Sequence, residues 1–230
     1  AVRGGGGVSS GFAGPRGTWY PSAVLVGFGA GSCAAALGAW GGAALRVAAV
    51  ELDPAVVAAV RAAHGVRIFE TSLRSATDHP LSRARPKPHD RGASEVTVVD
   101  AATYVRTAPP GSIDALLLDA YDSEGRVPAH LQAERFVRDA AAALRRGGVV
   151  VANLFDSSEV ARAESKAFSR RLRQAIGPVF ALRVVGHEAN LILLAIKSSS
   201  DDGGASDGTS LDAVRRRLAA AAEPEGAAAV

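Results

Sequence analysis

The stretch that decides the fold runs from Ala23 to Asp53 and reads AVLVGFGAGSCAAALGAWGGAALRVAAVELD. Its apolar start ends at three alternating glycines, which are Gly27, Gly29 and Gly31. A run of small residues follows, and then a second apolar run, residues 47–50, which ends in Glu51. This order predicts a strand, a glycine turn, a helix and a second strand with an acid at its end. Parallel-sheet folds that bind nucleotides are built in this order.

Each residue type in this stretch suits contact with an adenosine-containing ligand. Glycine has no Cβ, so the turn allows a ligand to approach the backbone. The helix after the turn presents free N–H groups and the positive end of its dipole. Glu51 follows Gly29 by about 20 residues, the spacing typical of a carboxylate that binds ribose hydroxyls. Glycine turns also occur for packing alone, but strand, glycines and acid together predict a nucleotide site.

Length and composition favour one α/β domain. The chain has 230 residues, 48% of them hydrophobic, with a formal net charge of +3 and a single cysteine, Cys33. Such a chain can bury a sizeable core, and its small net charge gives no reason to expect a nucleic-acid partner. A lone cysteine cannot form an internal disulfide, which fits either a reducing compartment or simply an alanine-rich composition. We expect a cytoplasmic location, with an organelle as the alternative, and we expect Cys33 to pack on the sheet. The sequence shows no signal-peptide core and no apolar run of membrane-spanning length, so no membrane is expected as a partner.

Three regions are predicted along the chain. Residues 1–21 form a flexible glycine-rich tail, residues 22–197 the α/β domain, and residues 198–230 a flexible linker with a short C-terminal helix. Within the domain, the prolines and the excess of basic residues at 66–93 predict an inserted loop. This loop is either a solvated insertion or a basic contact for an acidic partner. Because the chain contains no methionine, either an initiator was removed before Ala1 or the chain is a piece of a longer protein.

Strand and helix signals alternate through the domain. After the first two strands, apolar runs predict five more, over 95–100, 115–118, 149–155, 179–185 and 190–196. A helical pattern follows each of the first five strands, and these patterns cover 32–40, 55–64, 101–106, 128–144 and 158–176. The short join at 186–189 makes the last two strands an antiparallel hairpin. The expected fold class is α/β, a Rossmann-like, doubly wound, mostly parallel sheet of seven strands with an antiparallel C-terminal hairpin strand.

Polar residues stand at successive strand ends of this predicted sheet. After the glycines and Glu51, the later strands end at or near Asp100, Asp119 and Asn153. The carboxyl ends of parallel strands meet at one edge of the sheet, which is where ligands bind. Carboxylates at neighbouring strand ends repel one another, so a purely structural role explains them poorly. We therefore expect one functional site at this edge. The histidines of the chain show no metal-ligand spacing, and no metal is predicted.

These residues resemble the class I S-adenosylmethionine-dependent transferases, and within them the spermidine-synthase-like branch. The resemblance covers roughly residues 22–197. It rests on the segments VLVGFGAGS, VELDPAVV, VVDAATYV, LLLDAYDSEGRVPAHL, LRRGGVVVANLF and NLILLAI. The run LLLDAY with VPAHL and the later GGVVVANL is the more specific part, because GFGAG alone also suits dinucleotide dehydrogenases.

The resemblance implies a cofactor, S-adenosylmethionine or its decarboxylated form, and a set of residues that hold it. The glycine turn would lie along the amino-acid end and the ribose of the cofactor. Glu51 would hold the ribose diol, and Asp100 with Ala101 would reach the adenine. Asp119 would lie beside the transferred group, where it contacts both cofactor and acceptor.

The resemblance also implies an amine acceptor, either a small molecule or a protein. Asp119 would hold the N–H groups of the acceptor and assist its deprotonation. Tyr121 and Asp122 would line the acceptor pocket. Tyr121 is either a cation–π contact to the methyl group or a half-buried loop anchor, and Asp122 either a ligand or a turn residue. His130 is expected to be a structural neighbour of the pocket, and the resemblance implies a homodimer.

One position separates the reactions of the family. Aminopropyltransferases carry an aspartate in the glycine turn, which pairs with the amine of the decarboxylated cofactor, and this chain has Ala30 there. They also carry an N-terminal β-hairpin domain, whereas the residues before Ala23 offer only a glycine-rich tail with Trp19 and Tyr20. Cropping of the sequence would account for a missing hairpin, but it does not account for Ala30. A related branch that methylates lysine and N-terminal amines of a translation elongation factor lacks that aspartate. We therefore expect methyl transfer to an amine. The alternatives are aminopropyl transfer, as in polyamine synthesis, a dinucleotide dehydrogenase, and a non-catalytic domain that binds a nucleotide or a protein.

Overall fold

The computed structural model describes residues 21–41, 45–64, 68–71, 73, 79–82 and 94–198. The predicted tails at 1–21 and 198–230, apart from residues 21 and 198 themselves, lie outside the described residues, as does most of the predicted loop at 66–93.

The described residues form one sheet of eight strands, in the order β3-β4-β2-β1-β5-β6-β8-β7. In chain order these are β1 Ser22–Val26, β2 Arg46–Glu51, β3 Ile68–Thr71, β4 Ser94–Val98, β5 Ile113–Leu118, β6 Leu144–Phe155, β7 Val179–Val184 and β8 His187–Ile196. Strands β1 to β6 pair in parallel, and β8 runs antiparallel to both of its neighbours, β6 and β7. The predicted fold class is confirmed, with all seven expected strands in place.

The eighth strand, β3, lies in the stretch for which the sequence predicted an inserted loop. It pairs with β4 at the edge of the sheet. An edge strand of four residues gives a weak apolar pattern, and the prolines and charges after it hid the pattern further. The loop prediction was therefore wrong at 68–71.

The helices of the described residues are α1 Ser32–Gly41, α2 Pro54–His64, α3 Ala101–Thr107, α4 Ala129–Gln132, α5 Glu134–Ala143 and α6 Glu159–Ala175. The predicted helix over 128–144 is two helices, because Ala133 between them has extended backbone, with φ −65° and ψ 153°. Alanine favours helix, so nothing in the sequence at this position marks the break. None of the described helices is long and apolar enough to cross a membrane.

The sheet separates two apolar layers, because successive strand residues point to opposite faces. Leu25 of β1 packs with α1 and α2 on one face, while Val24 and Val26 pack with the helices that follow β4, β5 and β6 on the other. Both faces of the central strands are therefore buried, as their continuous apolar runs predicted.

At the amino edge of the sheet, buried polar contacts anchor the described part of the predicted loop. The ring of His79 is fully buried and lies 4.4 Å from the ring of Tyr104. Its Nε2 lies 3.1 Å from the Tyr104 carbonyl oxygen, and its Nδ1 accepts a backbone N–H, which fixes a neutral ring with the proton on Nε2. Burial lowers the pKa of His79, in agreement with a neutral ring. Arg46 at the start of β2 donates to the carbonyl oxygen of Pro80 at 2.8 Å. These contacts are structural and lie at the edge opposite the predicted site.

Candidate functional site

The glycine turn leaves β1 at the carboxyl edge of the sheet with three glycines of positive φ. Gly27 has φ +92°, and a Cβ there would lie 2.4 Å from the carbonyl oxygen of Asp119, so only glycine allows β1 and β5 to end this close together. A Cβ at Gly29, where φ is +51°, would meet no described atom within 4 Å. Gly31 has φ +79° and packs against Phe28. The outer side of the turn is therefore bare backbone facing open space.

Glu51 at the end of β2 is bound to the turn that follows β1. Its Oε2 accepts a hydrogen bond from the backbone N–H of Phe28 at 3.0 Å. Its Oε1 accepts two more, from the N–H groups of Leu52 at 2.7 Å and Asp53 at 3.0 Å. A carboxylate offers about four acceptor positions, so one position on Oε2 is left for a ligand. The protein thus holds this carboxylate in one orientation before any ligand arrives.

Asp100 follows β4 and caps α3. Its Oδ1 accepts a hydrogen bond from the N–H of Thr103 at 2.9 Å, and its Oδ2 lies 2.9 Å from Nε2 of His130. Partial burial alone would raise the pKa of the Asp100 carboxyl, but the hydrogen bonds from Thr103 and His130 outweigh it, and the pKa lies below its ordinary value. The next residue, Ala101, is buried as the first residue of α3. The pairing with His130 brings the start of α4 to the edge of the site.

Asp119 follows β5 and lies within a small set of hydrogen bonds made by Asn153 and Tyr121. The side-chain amide of Asn153, in β6, donates to Asp119 Oδ1 at 3.0 Å. The hydroxyl of Tyr121 donates to the backbone carbonyl of Asn153 at 2.9 Å. Burial and the nearby carboxylate of Asp119 raise the pKa of Tyr121 to about 12, so the hydroxyl remains a hydrogen-bond donor at neutral pH. The Tyr121 side chain is 40% exposed, so its ring borders solvent at this edge.

Asp122 has contacts of a different kind. Its Oδ1 accepts hydrogen bonds from the backbone N–H groups of Glu124 at 2.9 Å and Arg126 at 3.0 Å. The same two hydrogen bonds lower the pKa of the Asp122 carboxyl, with that from Arg126 the larger cause. The sequence left two roles open for Asp122, a ligand of the acceptor or a turn residue, and these hydrogen bonds are those of a turn residue.

Cys33, near the start of α1, is half-buried and packs against the layer formed by α1 and α2. Burial raises the pKa of its thiol, and the carboxylate of Asp119 raises it further. A thiol with a raised pKa is a poor nucleophile at neutral pH, so the structure agrees with the expected packing role.

The structure brings the glycine turn, Glu51, Asp100 and Asp119 to one edge, as the sequence predicted. The structure also shows two contacts within the site that the sequence did not predict: Asn153 donates to Asp119, and His130 pairs with Asp100. Asn153 was visible as a polar residue near a strand end, but its contact with the neighbouring strand depends on the register of β5 against β6. Among the described residues, no group of three or more metal-ligating side chains lies together.

No known protein-family profile matches the sequence. A polyamine aminopropyltransferase of Vibrio vulnificus (strain CMCP6) is 28% identical over 102 residues, which cover 44% of this chain and 32% of that protein. The chain thus spans the equivalent of about a third of this curated relative.

Two solved structures are similar over most of the described fold. Human methyltransferase-like protein 13, solved in complex with SAH, superposes with a TM-score of 0.61 at 18% identity, over 90% of this chain and 84% of that one. A probable spermidine synthase from Corynebacterium glutamicum superposes with a TM-score of 0.59 at 18% identity, over 85% of this chain and 61% of that one. The fold is therefore the Rossmann-like fold that methyltransferases and spermidine synthases share.

Proposed function

We propose that this chain, which has the fold shared by methyltransferases and spermidine synthases, binds S-adenosylmethionine at the carboxyl edge of its sheet and transfers the methyl group to an amine acceptor. The observation that carries the proposal is the meeting of four strand ends at that edge. There the bare glycine turn, Glu51, Asp100 and the Asp119–Asn153 pair lie side by side.

The residues at this edge fit an adenosine-containing cofactor. The turn from Gly27 to Gly31 exposes backbone where a side chain would block close approach. Glu51 has one acceptor position left on Oε2, and a ribose hydroxyl supplies the matching donor. Asp100 keeps acceptor positions for the adenine amino group, and Ala101 at the start of α3 has a backbone N–H with no partner inside the helix. A dinucleotide dehydrogenase would share the turn, but the antiparallel strand β8 and the acids at the third and fourth strand ends of the predicted sheet favour the transferase reading.

Methyl transfer asks little of the protein beyond orientation. When bound, the sulfonium supplies an electrophilic methyl group. Asp119, held by Asn153, accepts N–H hydrogen bonds from the acceptor amine and takes up or passes on the proton that the amine must lose. The Tyr121 ring, tied through its hydroxyl to β6, offers an aromatic face to a cationic group beside Asp119.

The preference for methyl over aminopropyl transfer rests on Ala30. Intact S-adenosylmethionine has a carboxylate and an ammonium at its amino-acid end, whereas the decarboxylated form has the ammonium alone. An aspartate in the turn would attract the decarboxylated form and repel the carboxylate of the intact one. Ala30 is exposed and without charge, so the turn itself gives the decarboxylated form no such advantage.

Aminopropyl transfer is the second candidate, and the Vibrio vulnificus relative is the observation that favours it. The acceptor in that case is a diamine. A non-catalytic domain that binds a nucleotide or protein is a third reading that shares the fold but not the chemistry.

Calorimetric titration separates these readings. The protein is titrated with S-adenosylmethionine, decarboxylated S-adenosylmethionine, S-adenosylhomocysteine and NAD. We expect S-adenosylmethionine to bind more tightly than its decarboxylated form. The reverse order would favour aminopropyl transfer, NAD binding alone would exclude both transferases, and no binding would favour the non-catalytic reading.

A matched variant sharpens the test. Ala30→Asp should weaken the binding of S-adenosylmethionine and strengthen that of the decarboxylated form, because only the first has a carboxylate to be repelled. An exchange outside the turn, Ala129→Asp, adds the same charge at an exposed position and should leave the ratio of the two affinities unchanged.

A further inference from the structure

A second concave site lies between α6 and the β7–β8 hairpin. It is a cavity of about 380 Å³. Five cationic side chains line it, four from α6 and one from β7: Arg162, Lys166, Arg170, Arg173 and Arg183. The transfer reaction proposed above uses none of these residues, so this basic cleft is a separate site.

The single acid that lines the basic cleft, Asp156, is almost fully buried, with 4% exposure. Its Oδ2 pairs with the guanidinium of Arg183 at 2.6 Å. Its Oδ1 is buried as well, and no donor within the described part of the chain bonds to it. A buried carboxylate oxygen without a donor is costly, and such groups in native proteins need an explanation. The floor of the cleft therefore calls for an N–H or O–H donor.

The walls and the floor of the cleft set two requirements for its ligand. The four cationic side chains of α6 attract an anionic ligand, and their positive charges repel a cationic one. The Asp156 oxygen needs a donor, and among these cations a ligand supplies a neutral donor at a lower electrostatic cost than a cationic one. Aspartate and glutamate side chains of an acidic peptide offer acceptors only, so such a peptide would have to meet the Asp156 oxygen with a backbone N–H. A nucleotide combines both features, since its phosphate is anionic and its base carries neutral amino donors.

The length of the cation row favours a strand over a single nucleotide. Arg162 and Arg173 are separated by about 16 Å along the helix axis, which is longer than one phosphate. The cavity itself has the size of a small-molecule pocket, enough for one base. We propose that the basic cleft binds single-stranded nucleic acid, with phosphates along α6 and one base amino group donating to Asp156 Oδ1.

Asp156 also determines which base fits. Aspartate accepts from the exocyclic amino group of cytosine, whereas uracil presents a carbonyl oxygen at that position. The small net charge of the chain gave no reason to expect a nucleic-acid partner. A net charge, however, does not show how many cationic side chains lie on one face of a helix. The proposal is independent of the transfer reaction, because it concerns binding alone.

The test is fluorescence anisotropy with labelled oligocytidine and oligouridine of equal length, over a series of salt concentrations. We expect oligocytidine to bind at least about fivefold more tightly. Lys166→Glu and Arg170→Glu, both at exposed positions, should each weaken binding about fivefold or more and reduce the salt dependence by about 0.7 in slope. Arg135→Glu makes the same change of charge on α5, away from the cleft, and should leave affinity nearly unchanged.

Four results would overturn the proposal: no binding of oligocytidine, equal affinity for both oligonucleotides, equal losses in the cleft variants and in Arg135→Glu, or an oligoglutamate peptide that binds as tightly with the same dependence on Lys166 and Arg170. Cytidine monophosphate that binds as tightly as the strand would likewise overturn the extended site. Circular dichroism of each variant checks that the fold is retained.

Discussion

The side-chain amide of Asn153 donates a hydrogen bond to Asp119 Oδ1 at 3.0 Å across neighbouring strands. The amide oxygen of Asn153 is buried and has no partner among the described residues, so the carboxylate is the one hydrogen-bonded partner that the side chain has. The backbone carbonyl of the same residue accepts from Tyr121. Asn153 thus contacts two of the three residues predicted to face the acceptor, Asp119 through its side chain and Tyr121 through its backbone.

Removing this support should lower turnover without removing the cofactor. We expect Asn153→Ala to reduce methyl transfer about tenfold or more, since a misplacement of about 1 Å at a reacting group can cost about 10²-fold. Affinity for S-adenosylhomocysteine should change little. The measurement is release of S-adenosylhomocysteine over a panel of polyamines and lysine peptides, beside a calorimetric titration. Asn190→Ala on β8 is the control, and equal loss of activity in both variants would contradict the role of Asn153.

Removing the carboxylate of Asp119 itself should have a larger effect. Asp119→Ala should lower turnover about 10²–10⁴-fold, because the acceptor amine loses both its hydrogen-bond partner and its route for the proton. Asp122→Ala tests the neighbouring acid, whose Oδ1 already serves the turn. It should affect turnover far less, and a comparable loss would place Asp122 in the acceptor pocket after all.

Glu51 should control cofactor affinity. Its carboxylate accepts three backbone N–H groups and has one acceptor position left for a ligand. Glu51→Ala should weaken S-adenosylmethionine binding about tenfold or more by calorimetry, because a hydrogen bond to a charged group contributes about 1.5–3 kcal/mol. Glu124→Ala, an exposed acid in a different turn, is the matched control. Normal binding by Glu51→Ala would refute the ribose assignment.

The sequence predicted those features of the structure that are determined by local sequence patterns. The seven predicted strands and the meeting of Glu51, Asp100 and Asp119 at one edge followed from apolar runs and the geometry of parallel sheets. The contacts of Asn153 and His130 did not, because they depend on strand register and on the path of the chain after β5. The edge strand β3 was missed because its pairing with β4 decided the structure against a weak local signal. The break at Ala133 was missed because alanine favours helix.

Two glycines of the turn should respond differently to alanine. Gly27→Ala would place a Cβ 2.4 Å from the Asp119 carbonyl at φ +92°, so backbone must shift and unfolding free energy should fall by about 2–4 kcal/mol. Gly29→Ala meets open space, and its cost should be the left-handed conformation alone, about 1–2 kcal/mol. Cofactor affinity should fall in Gly29→Ala through the added side chain. Urea unfolding and calorimetry measure the two effects, and equal stability losses would contradict the close approach of β1 and β5.

The Asp100 carboxyl should make stability depend on pH in the acid range. Its pKa is depressed in the folded state, since the Thr103 and His130 hydrogen bonds outweigh burial. The stability that it contributes is therefore fully present above the ordinary value of 3.8 and is lost as pH falls through the lower folded value. Asp100→Ala should cost about 1 kcal/mol at neutral pH through loss of the helix cap, and this difference from the wild type should shrink below the ordinary value.

Asp100→Asn separates the cap from the charge. Asparagine is as good a cap as aspartate, so this variant loses only the negative charge that faces His130, and this exposed contact contributes under about 1 kcal/mol. Its stability should stay close to that of the wild type at neutral pH, and added salt should reduce the remaining difference. Urea unfolding at several pH values measures all three proteins. A difference between wild type and Asp100→Ala that grows as the pH falls would contradict the depressed pKa.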